Sequence, residues 1–204
     1  MHQLDNMKRL IFIFLLFPLL LSAQTKGTFV DSRDNQTYKW VKIGEQTWMG
    51  ENLNYNSKGS IYYNNDSIHS YGRLYNYESM MGNGDSIGIC PEGWHIPSLS
   101  DWNKLLNFTG KQFASDKLKS KTFKGGNDTY GFNALPNGRY LPPDEKDKTK
   151  SVRFENQGTH SYFWSSTERD GYTMWSFFLY SEASTISKID GDKNNGMSLR
   201  CIKK

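Results

Sequence analysis

Apolar and polar positions alternate along YKWVKIGEQTWM, residues 38–49: Lys39, Val41 and Ile43 fall on one side, Tyr38, Trp40 and Lys42 on the other. A period of two over such a stretch marks a strand. Gly44-Glu45 stands where a two-residue turn belongs, with glycine first as type II′ requires, so the spacing predicts a β-hairpin over 37–49. Residues 52–71, rich in Tyr and Asn, keep neither period and read as irregular. YGRLYNYESMMG, 71–82, predicts a short helix ending at Gly82, with the loop GNGDSIG behind it. Further on, Leu99, Trp102, Leu105 and Leu106 recur at helical spacing, Ser98 and Asp101 form a capping pattern ahead of them, and Gly110 stops the run. A second helix is predicted there.

Between 111 and 160 Gly, Asn and Pro recur so densely that loops with short strands between them are expected, and the charge run DEKDK reads as a solvated loop tip. The last third predicts strands: SYFWSST, YTMWSFFLYSE, ASTISKI and GMSLRCIKK. In the second of these, Trp175, Phe177 and Leu179 alternate with Met174, Ser176, Phe178 and Tyr180, so both faces carry apolar groups, as in a central strand covered on two sides. The pattern as a whole predicts an α+β domain with an N-terminal hairpin, two short helices, a long loop region and a C-terminal antiparallel sheet.

The first residues change the picture of where the protein works. Lys8 and Arg9 precede an apolar run from Leu10 to Leu21 that ends in Ser22 and Ala23, the three-part pattern of a secretory signal peptide over 1–23. That run is shorter than the ~20 residues a bilayer crossing needs, and no second one of its length follows, so the mature chain is expected to carry no transmembrane segment. Export to the periplasm, cell surface or medium is the expectation. Cleavage would leave 181 of the 204 residues, suited to one domain over 24–204, and removing Lys8, Arg9 and Asp5 takes the formal charge from +4 to +3. The basic residues are scattered among acids, which argues against nucleic-acid binding. Aromatic residues make up 15% of a chain whose mean hydropathy is only −0.71, so rings are plentiful both for a core and for recognition.

In an oxidising compartment the two cysteines, Cys90 and Cys201, form one obvious pair. Closing the 110 residues between them contributes up to about 4.7 kcal/mol in the chain-entropy model. The stretch ICPEGWHIPSLSDW around Cys90 holds a histidine and a carboxylate, yet each residue has a local duty: Asp101 caps the helix, Trp102 packs inward, and His95, as a general base, has no acid, nucleophile or metal partner that the neighbouring sequence identifies. No catalytic residue is assigned. DGDKNNG, 190–196, misses the glycine and the glutamate of an EF-hand loop and reads as a polar turn. His69, His95 and His160 are far apart and begin no zinc motif, so no metal ligand set and no cofactor are expected. SSTE, 165–168, offers hydroxyls without a paired base. Rings remain. Tyr140, Tyr172 and Trp175, with Arg139 nearby, lie in or beside the loop-rich region and are the candidate ligand-binding residues, whereas Trp48, Trp94, Trp102 and Trp164 are expected in the core.

Taken together, YKWVKIGEQTWMGENLNY, YGRLYNYESM, CPEGWHIPSLSDWNKL, YGFNALPNGRY, YFWSSTE and GMSLRCIKK resemble the Fibrobacter succinogenes major paralogous domain, in order from about Thr28 to Lys204. The resemblance implies a C-type-lectin-like fold and export more than an activity, and it places Cys90 and Cys201 where such domains are bridged. GWHIPSLSDW is also similar to a stretch of the formylglycine-generating sulfatase-modifying family, whose paired active cysteines are not matched. The E-P-N, Q-P-D and W-N-D triplets of calcium-dependent lectins are missing, so calcium-mediated sugar binding does not carry over. These readings make a secreted or surface, non-catalytic domain that binds a glycan or protein the leading expectation. A divergent sulfatase-modifying-type enzyme and a structural piece of the cell envelope or a surface fibre are the alternatives.

Overall fold

The computed structural model describes residues 26–65, 71–82, 88–143 and 151–204. The inferred leader, His69, most of GNGDSIG and the DEKDK run lie outside the described residues. Along the chain stand β1 (Lys26–Val30), β2 (Thr37–Ile43), β3 (Gln46–Met49), β4 (Leu74–Tyr75), α1 (Tyr77–Met81), β5 (Trp94–His95), α2 (Leu99–Thr109) and α3 (Ala114–Leu118). There follow β6 (Asn137–Leu141), β7 (Arg153–Gln157), β8 (His160–Glu168), β9 (Thr173–Tyr180), β10 (Ile186–Asp192), β11 (Met197–Ser198) and β12 (Ile202–Lys203). The fold is α+β, with one sheet ordered β1-β2-β3-β12-β5 and a second ordered β10-β9-β8-β11-β4, onto which the β6–β7 hairpin is paired through β8.

The expected hairpin is β2–β3, in register from Trp40↔Met49 to Ile43↔Gln46. Its turn puts Gly44 at φ 61° while Glu45 keeps a negative φ, the sign pattern that requires glycine first. Burial changes face along β2: Tyr38 joins one hydrophobic cluster, Val41 and Ile43 the other, and Lys39 and Lys42 stay exposed. An additional strand, β1, pairs outside β2, its Phe29 stacked on Trp94 at 4.5 Å. The pattern gave no sign of it.

At 71–82 the helix occupies only Tyr77–Met81; Leu74 and Tyr75 instead form β4, because Met197 and Ser198 offer them an antiparallel partner. Asn76 then caps the helix by accepting from the Ser79 N–H at 2.9 Å. The second expected helix, α2, starts at a full capping box: Ser98 Oγ accepts from the Asp101 N–H, and the Asp101 carboxylate accepts from the Ser98 N–H at 2.9 Å. Trp102, Leu105 and Leu106 are buried, and Gly110 ends it. Within the stretch read as loops and strands, α3 is a third helix, so the expectation of two is corrected.

The terminal strands follow the pattern most closely. β9 lies between β8 and β10, and its two faces feed different clusters. Met174 joins Tyr162 and Trp164 in the first, while Phe177 and Leu179 join Phe163, Trp102 and Phe132 in the second. Trp48, Trp94, Trp102 and Trp164 are all buried. GMSLRCIKK, expected as one strand, is divided: β11 belongs to one sheet and β12 to the other. The three residues between them, Leu199, Arg200 and Cys201, carry the chain from sheet to sheet.

Candidate functional site

The stretch before α2 turns out to be a joint. Cys90 and Cys201 are disulfide-bonded and buried, tying the approach to β5 to the passage between the two sheets. His95 does have a carboxylate neighbour, with its Nε2 3.5 Å from Asp101 Oδ2. The same Asp101 oxygen accepts from Ser98 Oγ at 2.6 Å, so the carboxylate stands between hydroxyl and imidazole. A nucleophilic relay needs the imidazole in the middle. Burial alone would raise the Asp101 carboxyl, but the Ser98 hydrogen bonds and the His95 ring outweigh it and hold the group below the usual carboxylate range. Two of the SSTE hydroxyls are committed too: Ser165 Oγ donates to Trp175 O at 2.7 Å, and Thr167 Oγ1 accepts from the Leu99 N–H at 2.9 Å, satisfying a first-turn donor of α2. Trp102 Nε1 donates to Trp164 O, and Trp164 Nε1 to Tyr75 O, locking α2 to β8 and β8 to β4.

A concavity with convergent amides lies elsewhere. A cleft of about 230 Å³ is walled by the β1–β2 turn and the start of β2 (Gln36, Thr37, Tyr38), the segment after β3 (Glu51, Asn52, Asn54), Tyr71 with Gly72, and the loop at Asn133 and Leu135. Two of these residues, Asn52 and Asn133, are held by Arg200, which is only 1% exposed. One arm donates to Phe132 O, the other to Asn52 Oδ1 at 2.5 Å and Asn133 O at 3.4 Å, and the fork stacks over the Phe132 ring at 4.3 Å. Burial pushes its pKa down to about 9, which leaves it charged at neutral pH. Arg200 thus pulls two distant loops together, and Asn52 extends the link by donating to Tyr71 O at 2.8 Å.

Amides interlock around the rim. Asn54 Nδ2 donates to Gln36 Oε1 at 2.9 Å, Gln36 Nε2 donates back to Asn54 O at 3.1 Å and to Asp34 Oδ2 at 2.6 Å, and the Asn54 N–H donates to the Tyr38 hydroxyl at 3.0 Å. Glu51 accepts from the Lys39 N–H at 2.8 Å and faces the Lys39 ammonium at 3.3 Å. Asn133 is fixed in turn by Asp128, whose carboxylate accepts from the Asn133 N–H at 2.7 Å and whose pKa is raised by burial. The polar groups are therefore held in place by one another.

The four candidate rings and cations do not gather in one place. Tyr140 is 4% exposed, packed where Gly196 leaves room, and burial pushes its phenol up to about 12; it is a core ring and offers no face for stacking. Arg139, its neighbour on β6, turns to Glu155 at 3.3 Å and lies 4.9 Å from the Tyr162 ring centroid. Tyr172, 83% exposed, stands at the β8–β9 turn. Trp175 is half-buried under cations, with Lys188 Nζ 3.9 Å from its ring centroid and Arg169 at 5.4 Å. Only the second half of DGDKNNG is the expected turn: Asp190–Asp192 belong to β10, and residues 193–196 join it to β11, with Asp192 Oδ1 accepting from the Asn194 N–H at 2.8 Å. The cleft residues escaped the sequence reading. Their one visible trace is the alternation of Asn52, Asn54 and Asn56 in a stretch read as irregular.

Among known families, the model described as the Fibrobacter succinogenes major domain matches residues 41–203. No curated protein and no solved structure matches the chain.

Proposed function

Since the chain belongs to the Fibrobacter succinogenes major domain family, a membership that carries a scaffold and no reaction, we propose that it is an exported, non-catalytic recognition domain of C-type-lectin-like design whose amide-lined cleft binds a glycan. The observation that carries this reading is the cleft itself. Sugar hydroxyls both donate and accept, and Asn54 and Asn133 supply amides that do both, beside the acceptors Gln36 Oε1 and Glu51. Its volume of about 230 Å³ is below the ~300–1,000 Å³ of sites that enclose a drug-sized ligand, which suits one residue of a longer chain held at its end or side. A sulfatase-modifying-type enzyme would need reactive thiols, and both cysteines here are joined and buried.

A glycan array probed with the purified protein tests the proposal. Binding that weakens at least about tenfold in Glu51→Ala and Asn54→Ala, with circular dichroism unchanged, is expected. Silence across the array together with turnover of any substrate would refute it. Export is tested in the native host by the mass of the recovered protein, which should correspond to a chain beginning at Gln24.

A further inference from the structure

The edge of the second sheet is self-complementary, and from it we infer that two copies of the chain pair antiparallel through β10, making a symmetric dimer with one continuous sheet. β10 is hydrogen-bonded to β9 along Ile186–Asp192, and among the described residues its other side has no strand partner. Seven residues of open edge expose backbone donors and acceptors that another strand can satisfy. Natural edges are commonly guarded by charge, yet the charges here alternate in sign about a centre at Ile189: Lys188 on one side, Asp190 on the other, both exposed.

A two-fold axis through Ile189 places Lys188 opposite Asp190 of the second copy, twice, on one face of the joined sheet. On the other face it places Ile189 against its own copy and Ser187 against Gly191. Directly opposite charges attract across a strand pair and like charges repel. Sliding the second strand by two residues sets Lys188 against Lys188 in one direction; in the other it sets Asp190 against Asp190 while Asp192 comes opposite Lys188, so of the three registers only the one centred on Ile189 has no like-charge pair. The apolar face agrees with that choice. Ile189 is only partly buried, packed like Phe178 against the margin of the first cluster, and a second Ile189 would continue that cluster across the axis.

The side chains on the charged face are already aligned for such a seam. Asp190 is held by Arg169 at 2.7 Å, and Lys188 lies over Trp175, so pairing would build a run from Arg169 through Asp190 to Lys188 and Trp175 of the second copy. Trp175 then supports an interface between copies.

Sedimentation velocity of the purified protein, over about three decades of concentration up to roughly 1 mM, tests the inference. A reversible dimer is expected. Lys188→Glu and Asp190→Lys should each weaken it by about tenfold or more, since each makes two like-charge pairs. The discriminating sample is an equimolar mixture of the two variants: every pair across the heterodimer is again of opposite sign, so association should return to the wild-type level, as it should in the double variant. Recovery on mixing also rules out misfolding as the cause of the single-variant loss. A protein monomeric throughout the range, a dimer indifferent to the single reversals, or a mixture that stays as weak as its components would each overturn the inference.

Discussion

Replacing both cysteines by alanine removes the clasp between the approach to β5 and the link joining β11 to β12. The bridge spans a sequence separation of 111. A closed loop of about 100 residues is worth about 4.7 kcal/mol in the chain-entropy model, while native bridges more commonly deliver about 2–4 kcal/mol. Both sulfurs are buried in the first cluster, so alanine leaves a small void that adds to the cost. For a chain of this size each kcal/mol moves Tm by roughly 2–4 °C. The Cys90→Ala/Cys201→Ala variant should therefore melt roughly 4–16 °C lower, as followed by calorimetry. Because Cys90 is 4% and Cys201 0% exposed, reductant should also act on the native protein only through opening, and thiol labelling should be negligible until denaturant is added. A variant melting within about 2 °C of the native protein, or rapid labelling of the folded protein under mild reductant, would refute the reasoning.

Asp101→Ala removes the carboxylate side of the capping box and should cost about 1 kcal/mol of stability in urea titration. Gly196→Ala should be far more damaging than an exposed glycine change, because a Cβ at 196 overlaps the Tyr140 ring; roughly 3 kcal/mol or more is expected, and Tyr140→Ala in the same chain should relieve the clash. Burial alone would raise the Asp31 carboxyl, but hydrogen bonds from Arg33 and its charge lower it below the ordinary value of 3.8. Its contribution is present above that value and lost as pH falls through the lower folded one, so Asp31→Asn should lower stability at pH 7 by roughly 1.5–3 kcal/mol and flatten the acid limb of stability against pH. Tyr140 behaves in the opposite sense: a phenol pushed up to about 12 stabilises below the ordinary value of 10 and ceases to as pH rises through 12, so Tyr140→Phe should flatten the alkaline decline relative to the native chain.

What the sequence disclosed were features decided locally. The Ser98–Asp101 box, the Gly44 turn and the two-sided β9 each need only a few neighbouring residues to be recognised, and the cysteines paired by count alone. What it concealed were features decided at a distance. Leu74 and Tyr75 read as helix until Met197 and Ser198 present an edge to them. α3 starts at Phe113 with no side-chain cap, so its start carries no local signal. Tyr140 and Tyr172 look alike in a sequence, and only the space at Gly196 separates the core ring from the exposed one. Arg200 was hidden for a related reason: a cation beside apolar residues reads as solvated, and its acceptors come from Asn52 and Phe132, far away in the chain.

The clasp and the cleft meet in three residues. Leu199 O accepts from the Leu53 N–H at 2.8 Å and Cys201 O from the Met49 N–H at 3.0 Å, so the link between the sheets is bonded along the segment that carries Glu51 and Asn52. Between those two bonds Arg200 reaches inward and holds Asn52 and the loop at 132–133. The disulfide fixes Cys201, the backbone bonds fix Leu199 and Cys201 on either side of Arg200, and its fork is thereby aimed at Asn52 and the loop at 132–133. A lysine at 200 would keep the charge but lose the two-armed reach, because an ammonium is a point donor while the guanidinium holds two acceptors at a set angle. The stretch before α2 therefore supports the cleft: the half-cystine at Cys90 anchors the partner whose adjacent arginine holds two residues of the cleft wall, Asn52 and Asn133.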